Sequence, residues 1–99
     1  MNKLNSESIN YNFNEILPGE ELIAVMFKSN DGKIDYSIPC KNTTTFVKIE
    51  EKLYDEYPEY KETDNYFLVN GNRVKRFKTI KENQIKNGKP IILIKEEEL

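Results

Sequence analysis

The side chains in this sequence that could carry out chemistry are few, and the commonest catalytic group is missing. Histidine, the most frequent general base and metal ligand in proteins, does not occur. Cys40 is the only cysteine, so the chain cannot form an internal disulfide or a cysteine-based metal site. Neither a histidine nor a pair of basic residues lies near Cys40 in the sequence to lower the pKa of its thiol. We therefore expect an unreactive thiol. The sequence therefore predicts neither an enzyme nor a protein that holds a cofactor or a metal.

Acidic and tyrosine side chains are the remaining candidates for a site, and both groups lie around one predicted helix. The acidic pairs Glu50-Glu51 and Asp55-Glu56 are not arranged as an acid and a base, so both pairs are expected to face water. Four tyrosines cluster at the helix end and in the loop after it, where packing is the expected role: Tyr54, Tyr57, Tyr60 and Tyr66.

Charge is distributed unevenly along the chain, although the formal net charge is only −2. Residues 43–64 carry three lysines and seven acids, and residues 72–89 carry seven basic residues and one acid. Such asymmetry concerns partners and electrostatic steering rather than the fold. Only Phe77 interleaves the basic stretch 73–81, whereas nucleic-acid surfaces usually present several aromatic residues. This pattern favours a solvated face or an acidic protein partner over nucleic acid.

Length and hydropathy predict one soluble domain. Ninety-nine residues suffice for a single core, with an apolar share of 37% and a charged share of 32%. No apolar run approaches the roughly 20 residues that a membrane span needs. The N-terminal residues do not resemble a signal peptide. We expect an intracellular location, in the cytoplasm, and no membrane contact.

The first half of the domain predicts a β-hairpin. Residues 22–28 have the length and the β-branched content of a strand, on which Ile23, Val25 and Phe27 would share one face. Residues 29–32 end in glycine and predict a tight turn. Residues 33–38 alternate so that three side chains share the core face, and Pro39 is predicted to end this strand: Ile34, Tyr36 and Ile38.

An amphipathic helix is predicted after the hairpin. Residues 42–45 offer side chains that can cap its start, an interpretation that we prefer to a glycosylation signal at Asn42. Pro58 is predicted to end it. Its apolar stripe has helical spacing: Phe46, Ile49, Leu53 and Tyr57.

The second half predicts another hairpin, a short helical turn and a final strand. Residues 66–69 and 72–74 are short strands joined by Asn70-Gly71, a strong tight-turn signal. A short helical turn begins at Thr79, and residues 90–94 form an apolar strand suited to the middle of a sheet. The order is ββαββ(short helix)β. It predicts an α+β domain in which a mixed four- to five-stranded sheet packs on one helix.

This order resembles the ubiquitin-like β-grasp over roughly residues 22–95. The resemblance lies in the first turn (28–33), the threonine-led helix, the strand and turn at 67–71, and the segment 79–94, which aligns with ubiquitin without a gap. The domain limits that follow are 1–19 for a polar N-terminal extension, 20–95 for the ubiquitin-like domain and 96–99 for an acidic tail.

The resemblance implies a partner-binding face and argues against conjugation. Ubiquitin-like proteins bind partners through a shallow apolar patch on the open sheet face, and Leu68 and Ile94 match two of its aliphatic members. Ile92 stands where ubiquitin has a histidine, and Asn30 replaces a leucine of the first turn. The sequence ends in 95–99 without the Gly-Gly that activating enzymes use, so we expect neither conjugation nor chain building.

Three functions follow in order of preference. The first is a non-enzymatic interaction domain that binds a protein through Leu68, Ile92 and Ile94, with Arg73 and Lys75 on a basic rim. The second is a structural subunit or an embedded domain of a large multiprotein assembly, with the N-terminal extension as a tether. The third, a modifier or sulfur carrier, requires the missing Gly-Gly.

Overall fold

The computed structural model describes residues 16–96, and the predicted extension up to residue 15 and the tail residues 97–99 lie outside the described part. The described chain forms five strands, one α-helix and one 3-10 helix. The strands are β1 (Leu22–Ser29), β2 (Asp35–Lys41), β3 (Asn65–Val69), β4 (Asn72–Arg73) and β5 (Pro90–Lys95). The helix α1 spans Phe46–Glu56, and the 3-10 helix spans Pro58–Glu62. No helix within residues 16–96 is long and apolar enough to cross a membrane.

The strands form one mixed sheet in the order β2-β1-β5-β3-β4. β1 and β5 run parallel, and the other neighbouring pairs are antiparallel. The final strand therefore occupies the centre, as its unbroken apolar sequence predicts. The mixed sheet on one α-helix confirms the predicted α+β class.

A single core lies between α1 and one face of the sheet. Alternation along β1 places Ile23, Val25 and Phe27 in this core, as predicted. Phe27, Phe46 and Phe67 form its aromatic centre, with ring centroids 5.1–6.0 Å apart in edge-to-face geometry. These rings join a central strand, the helix and β3.

Pro39 does not end β2, contrary to the sequence prediction. The strand begins at Asp35 and continues through Pro39, which pairs with Ala24, to Lys41. β2 is an edge strand, where the donor that proline lacks has no second neighbour to bond. The extension brings Cys40 onto the core side, where it is fully buried.

The start of α1 is capped by backbone rather than by the predicted side chains. Thr45 is the N-cap residue, but its side chain makes no capping hydrogen bond. Instead, the N–H groups of Phe46 and Val47 donate to the carbonyls of Lys78 and Arg76, at 2.9 and 3.0 Å. The connection after β4 therefore satisfies the helix start, a long-range arrangement that local sequence cannot reveal.

The predicted short helix at Thr79 is a hydrogen-bonded turn. The Thr79 hydroxyl accepts from the N–H of Glu82 at 3.0 Å, and the Glu82 carboxylate accepts from the N–H of Thr79 at 2.8 Å. This reciprocal capping box is a helix-start signature. Gln84 then adopts a positive φ of 59°, so the turn stops before a helix forms.

Candidate functional site

The sheet face opposite α1 is covered by no element within the described residues, and its centre is aliphatic. Leu68 on β3 and Ile92 on β5 are direct cross-strand partners. Ile94 pairs in the same way with Tyr66. All four side chains are half-buried, because strand neighbours shield their sides while their outer surfaces meet solvent. We call Leu68, Ile92, Ile94 and Tyr66 the open-face patch.

A row of residues in register crosses all five strands at the level of Leu68. Asp35 pairs with Lys28, Lys28 with Ile92, Ile92 with Leu68, and Leu68 with Arg73. The row is therefore charged at both ends and aliphatic at its centre. The Lys28–Asp35 ion pair, at 3.6 Å, is solvent-exposed and contributes little to stability.

Arg73 is held against the patch, whereas Lys75 lies at its margin. The Arg73 guanidinium carbon stands 4.2 Å from the centroid of the Tyr66 ring, a cation–π geometry. Lys75 follows β4, and its backbone exchanges two hydrogen bonds with the Asn83 side chain, at 2.8 and 2.9 Å. Both basic side chains are exposed. The structure thus brings the aliphatic residues together with Arg73 and places Lys75 beyond the end of the strand.

Tyr66 belongs to the open-face patch, although the sequence assigned it to packing among the tyrosines. The signal that could have placed it is the alternation in β3, where Asn65, Phe67 and Val69 are buried. Tyr66 and Leu68 must then share the opposite face. Met26 and Lys28 on β1 reach the same face by the same alternation.

Glu50 is buried, contrary to the prediction that both acids of its pair face water. Its side chain is 6% exposed and accepts two hydrogen bonds from Arg76 Nε, at 2.7 and 3.0 Å. The Tyr54 hydroxyl donates to the same carboxylate at 2.7 Å. Arg76 Nη2 also donates to the Asn65 carbonyl at 2.9 Å. This buried network ties α1 to β3 and removes Arg76 from the basic surface that the sequence suggested.

The other tyrosines act in packing, as predicted. Tyr60 is the buried residue of the 3-10 helix and belongs to the core, and Tyr36 and Tyr57 pack edge to face with centroids 5.8 Å apart. Burial, together with the hydrogen bond to Glu50, raises the pKa of Tyr54 to about 12. Tyr54 thus stays protonated and serves as a donor to Glu50 at neutral pH.

Comparison with known proteins shows which fold the chain has. No protein-family model and no curated protein matches the sequence. Among solved structures, a designed protein based on ubiquitin aligns with a TM-score of 0.65 at 20% identity, over 83% of this chain and 95% of that one. The UBL domain of Plasmodium falciparum Dsk2 aligns with a TM-score of 0.64 at 16% identity, over 77% of this chain and all of that domain. The chain has a ubiquitin-like fold.

Cys40, the one cysteine of the chain, is buried. Burial raises the pKa of the Cys40 thiol to about 12, so almost none of it is the nucleophilic thiolate at neutral pH. Among residues 16–96, no cluster of three or more histidine, cysteine or acidic side chains has the geometry to hold a metal. What the described surface offers is an aliphatic patch with a basic edge.

The protected thiol gives a direct test of the packing of β2. With a pKa of about 12, the thiolate fraction of Cys40 at pH 8 is about a thousandfold or more below that of a free cysteine. Because the side chain is also fully buried, we expect labelling by a thiol reagent such as DTNB only after unfolding in urea. Rapid stoichiometric labelling of the native protein would contradict the inward placement of Cys40.

Proposed function

We propose that this ubiquitin-like domain is a non-enzymatic interaction module that binds a protein partner through its open-face patch. Leu68, Ile92 and Ile94 form the apolar centre of the contact, and Arg73 and Lys75 form a basic rim. The observation that carries the proposal is the direct pairing of aliphatic side chains at the middle of a sheet face that no element of residues 16–96 covers.

Burial of the patch supplies the affinity in this proposal. The aliphatic side chains are half-buried in the free domain, so a partner can remove their remaining apolar surface from water at about 25 cal/mol per Å². Because the patch residues lie on hydrogen-bonded strands rather than on a loop, little ordering entropy is lost on binding. The central pair Leu68 and Ile92 should therefore act as hot spots.

In this proposal, charged side chains around the patch orient the partner and raise its association rate. Arg73 presents its guanidinium over Tyr66 at one end of the cross-strand row, and Lys28 lies between Ile92 and Asp35, with which it is paired. A partner with acidic residues around an apolar centre fits this pattern. Such rim charges mainly raise the association rate and make it sensitive to salt.

Single substitutions in the patch test this proposal. Leu68→Ala and Ile92→Ser should each weaken partner binding about tenfold or more, because they remove apolar area from the centre of the contact. Binding would be measured by affinity capture from source lysate, followed by titration of the purified partner. Thermal unfolding of each variant would confirm that the fold is intact.

Leu17→Ser is the matched control, since Leu17 is an exposed aliphatic residue outside the sheet. It should leave the captured partner and its affinity unchanged. If Leu68→Ala and Ile92→Ser behave like Leu17→Ser, the partner does not use the open-face patch and the proposal is wrong.

The alternative role, as a subunit of a large assembly, differs in how the domain is distributed. Size exclusion of native extract would place an interaction module partly in a free pool and an obligate subunit entirely in one large complex. Outside the patch, the exposed large apolar side chains are Leu17, Leu22 and Phe77. They favour this alternative, because a large assembly would cover them.

The proposed contact is non-covalent, and absence of conjugation stays a prediction. Incubation with an activating enzyme and ATP, followed by a thioester-sensitive gel, should give no adduct of the domain. A thioester band would show that the domain enters a conjugation pathway, and the proposed role would then be wrong.

A further inference from the structure

Phe77 is the most exposed large apolar side chain in the described part of the chain. Its residue is 83% exposed, compared with 63% for Leu17 and 39% for Leu22. The ring therefore contributes almost nothing to the packing of its own domain. Aromatic rings in such positions are common anchors at protein interfaces, because they offer a large area and few rotatable bonds.

The turn that carries Phe77 is fixed on both sides. The carbonyls of Arg76 and Lys78 accept hydrogen bonds from the first N–H groups of α1, at 3.0 and 2.9 Å. The Lys78 N–H closes the turn on the Lys75 carbonyl at 3.2 Å. The Arg76 side chain is bound to the buried Glu50. The ring is thus presented from a rigid base, and a partner would pay little for ordering the turn.

Exposed positive charge surrounds Phe77. Lys75 and Lys78 flank it in the turn, and both residues are exposed. Because Glu50 neutralises Arg76, the positive charge nearest to Phe77 in the sequence comes from Lys75 and Lys78. Glu82 is the acidic residue of this segment, and its carboxylate accepts a hydrogen bond from the Thr79 N–H. This hydrogen bond and, to a smaller extent, the charge of Lys78 lower the pKa of Glu82, so it is ionised at neutral pH. The electrostatic complement of this turn is an acidic surface.

This turn is separate from the open-face patch. Its carbonyls bond to the start of α1, which packs on the inner face of the sheet, whereas the patch lies on the outer face. Lys75 follows β4 and lies between the two surfaces. A ligand on Phe77 therefore need not touch Leu68 or Ile92.

We propose that Phe77, with Lys75 and Lys78, forms a second docking site that takes an acidic segment of a protein partner, with an apolar residue of that segment covering the ring. Nucleic acid fits the site less well, because a single aromatic residue is available where stacking platforms use several. The overall charge of −2 also opposes a polyanion.

Defined peptides test the site without knowledge of the partner. The probe is a set of fluorescent 12-residue peptides that alternate glutamate with leucine, phenylalanine or isoleucine, and the comparison set carries lysine in place of glutamate. Amide chemical shifts of the labelled domain map where each peptide binds. We expect the acidic set to bind, to weaken with added salt, and to shift amides around Phe77 whether or not those of β3 and β5 also respond.

Variants and competing ligands decide the outcome. Phe77→Ser and Lys78→Glu should each weaken the acidic peptides about tenfold or more, and neither should change thermal unfolding because both side chains are exposed. Ile92→Ser should leave the peptide-induced shifts around Phe77 unchanged, which separates this site from the open-face patch.

Four results would overturn the second site. They are equal binding of acidic and basic peptides, shifts confined to the open-face patch, Phe77-dependent binding of single-stranded oligothymidylate in place of acidic peptide, and concentration-dependent shifts around Phe77 without peptide. The last result would assign the turn to self-association.

Discussion

Replacing Phe67 with alanine is expected to lower the free energy of unfolding by about 3–5 kcal/mol. Phe67 is buried on β3, and its ring meets those of Phe27 and Phe46 at centroid distances of 5.7 and 5.1 Å. Alanine would leave a cavity where β1, the helix and β3 come together. Because domains of this size are stable by only about 5–15 kcal/mol, the loss would be a large part of the total. Urea unfolding followed by circular dichroism measures it.

The adjacent residue provides the control for Phe67. Leu68→Ala removes an aliphatic side chain from the same strand, but from the outward face, where it is only half-buried. Its cost should be about 1 kcal/mol or less. Equal losses for the two variants would contradict the division of β3 into a core face and an open face.

Replacing Arg76 with alanine is expected to cost about 3 kcal/mol, at the lower end of the range for breaking a buried ion pair. The variant leaves the carboxylate of Glu50 buried with Tyr54 as its remaining donor among the hydrogen bonds described. The lower end applies because the Arg76 side chain is 41% exposed, so water partly screens the pair. Thermal and urea unfolding measure the change.

A double substitution separates the ion pair from simple loss of packing. Glu50→Leu combined with Arg76→Leu removes both charges, and it should recover much of the stability lost in Arg76→Ala. Arg73→Ala is the surface control, since Arg73 is exposed and stacks on Tyr66, and it should cost about 1 kcal/mol or less. If Arg76→Ala is as mild as Arg73→Ala, the buried network does not hold α1 against β3.

Both predictions concern the scaffold that positions the open-face patch. Phe67 and Arg76 secure β3 from the inner side, through the aromatic core and through the Asn65 carbonyl. Leu68 and Tyr66 depend on that strand for their position on the outer face. Loss of either inner contact should therefore reduce partner binding indirectly, together with stability.

Local sequence patterns are sufficient to predict a strand or a helix when its conformation depends only on its own residues. The alternation of Ile23, Val25 and Phe27 and the apolar stripe of α1 each required only nearby residues. Pro39 was misjudged because its tolerance depends on β2 being an edge strand. That property belongs to the assembled sheet and is invisible in the strand itself.

The buried ion pair could not have been predicted from the sequence. Helical spacing puts Glu50 beside the buried stripe, between Phe46 and Leu53, but the sequence does not reveal that its partner is Arg76, 26 residues away. The basic stretch in turn appeared continuous because the sequence does not reveal that Arg76 points inward. Charge counts along a chain therefore overestimate a basic surface wherever one member is paired.

The candidate site was predictable only in part. Leu68, Ile92 and Ile94 came from the family resemblance, and the register of β3 and β5 places them together. Tyr66 follows from the alternation of β3 once Phe67 is assigned to the core. Phe77 depends on a turn whose shape is set by the start of α1, so its exposure required the structure.

Site-specific photo-crosslinking tests the proposed binding face most directly. A photoreactive amino acid would be placed at Leu68, at Ile92 or, as a control, at Glu51, which is exposed on α1. The captured proteins would be identified by mass spectrometry. We predict that positions 68 and 92 capture the same partner and that position 51 does not. Capture of that partner from position 51, with none from 68 or 92, would contradict binding through the open-face patch.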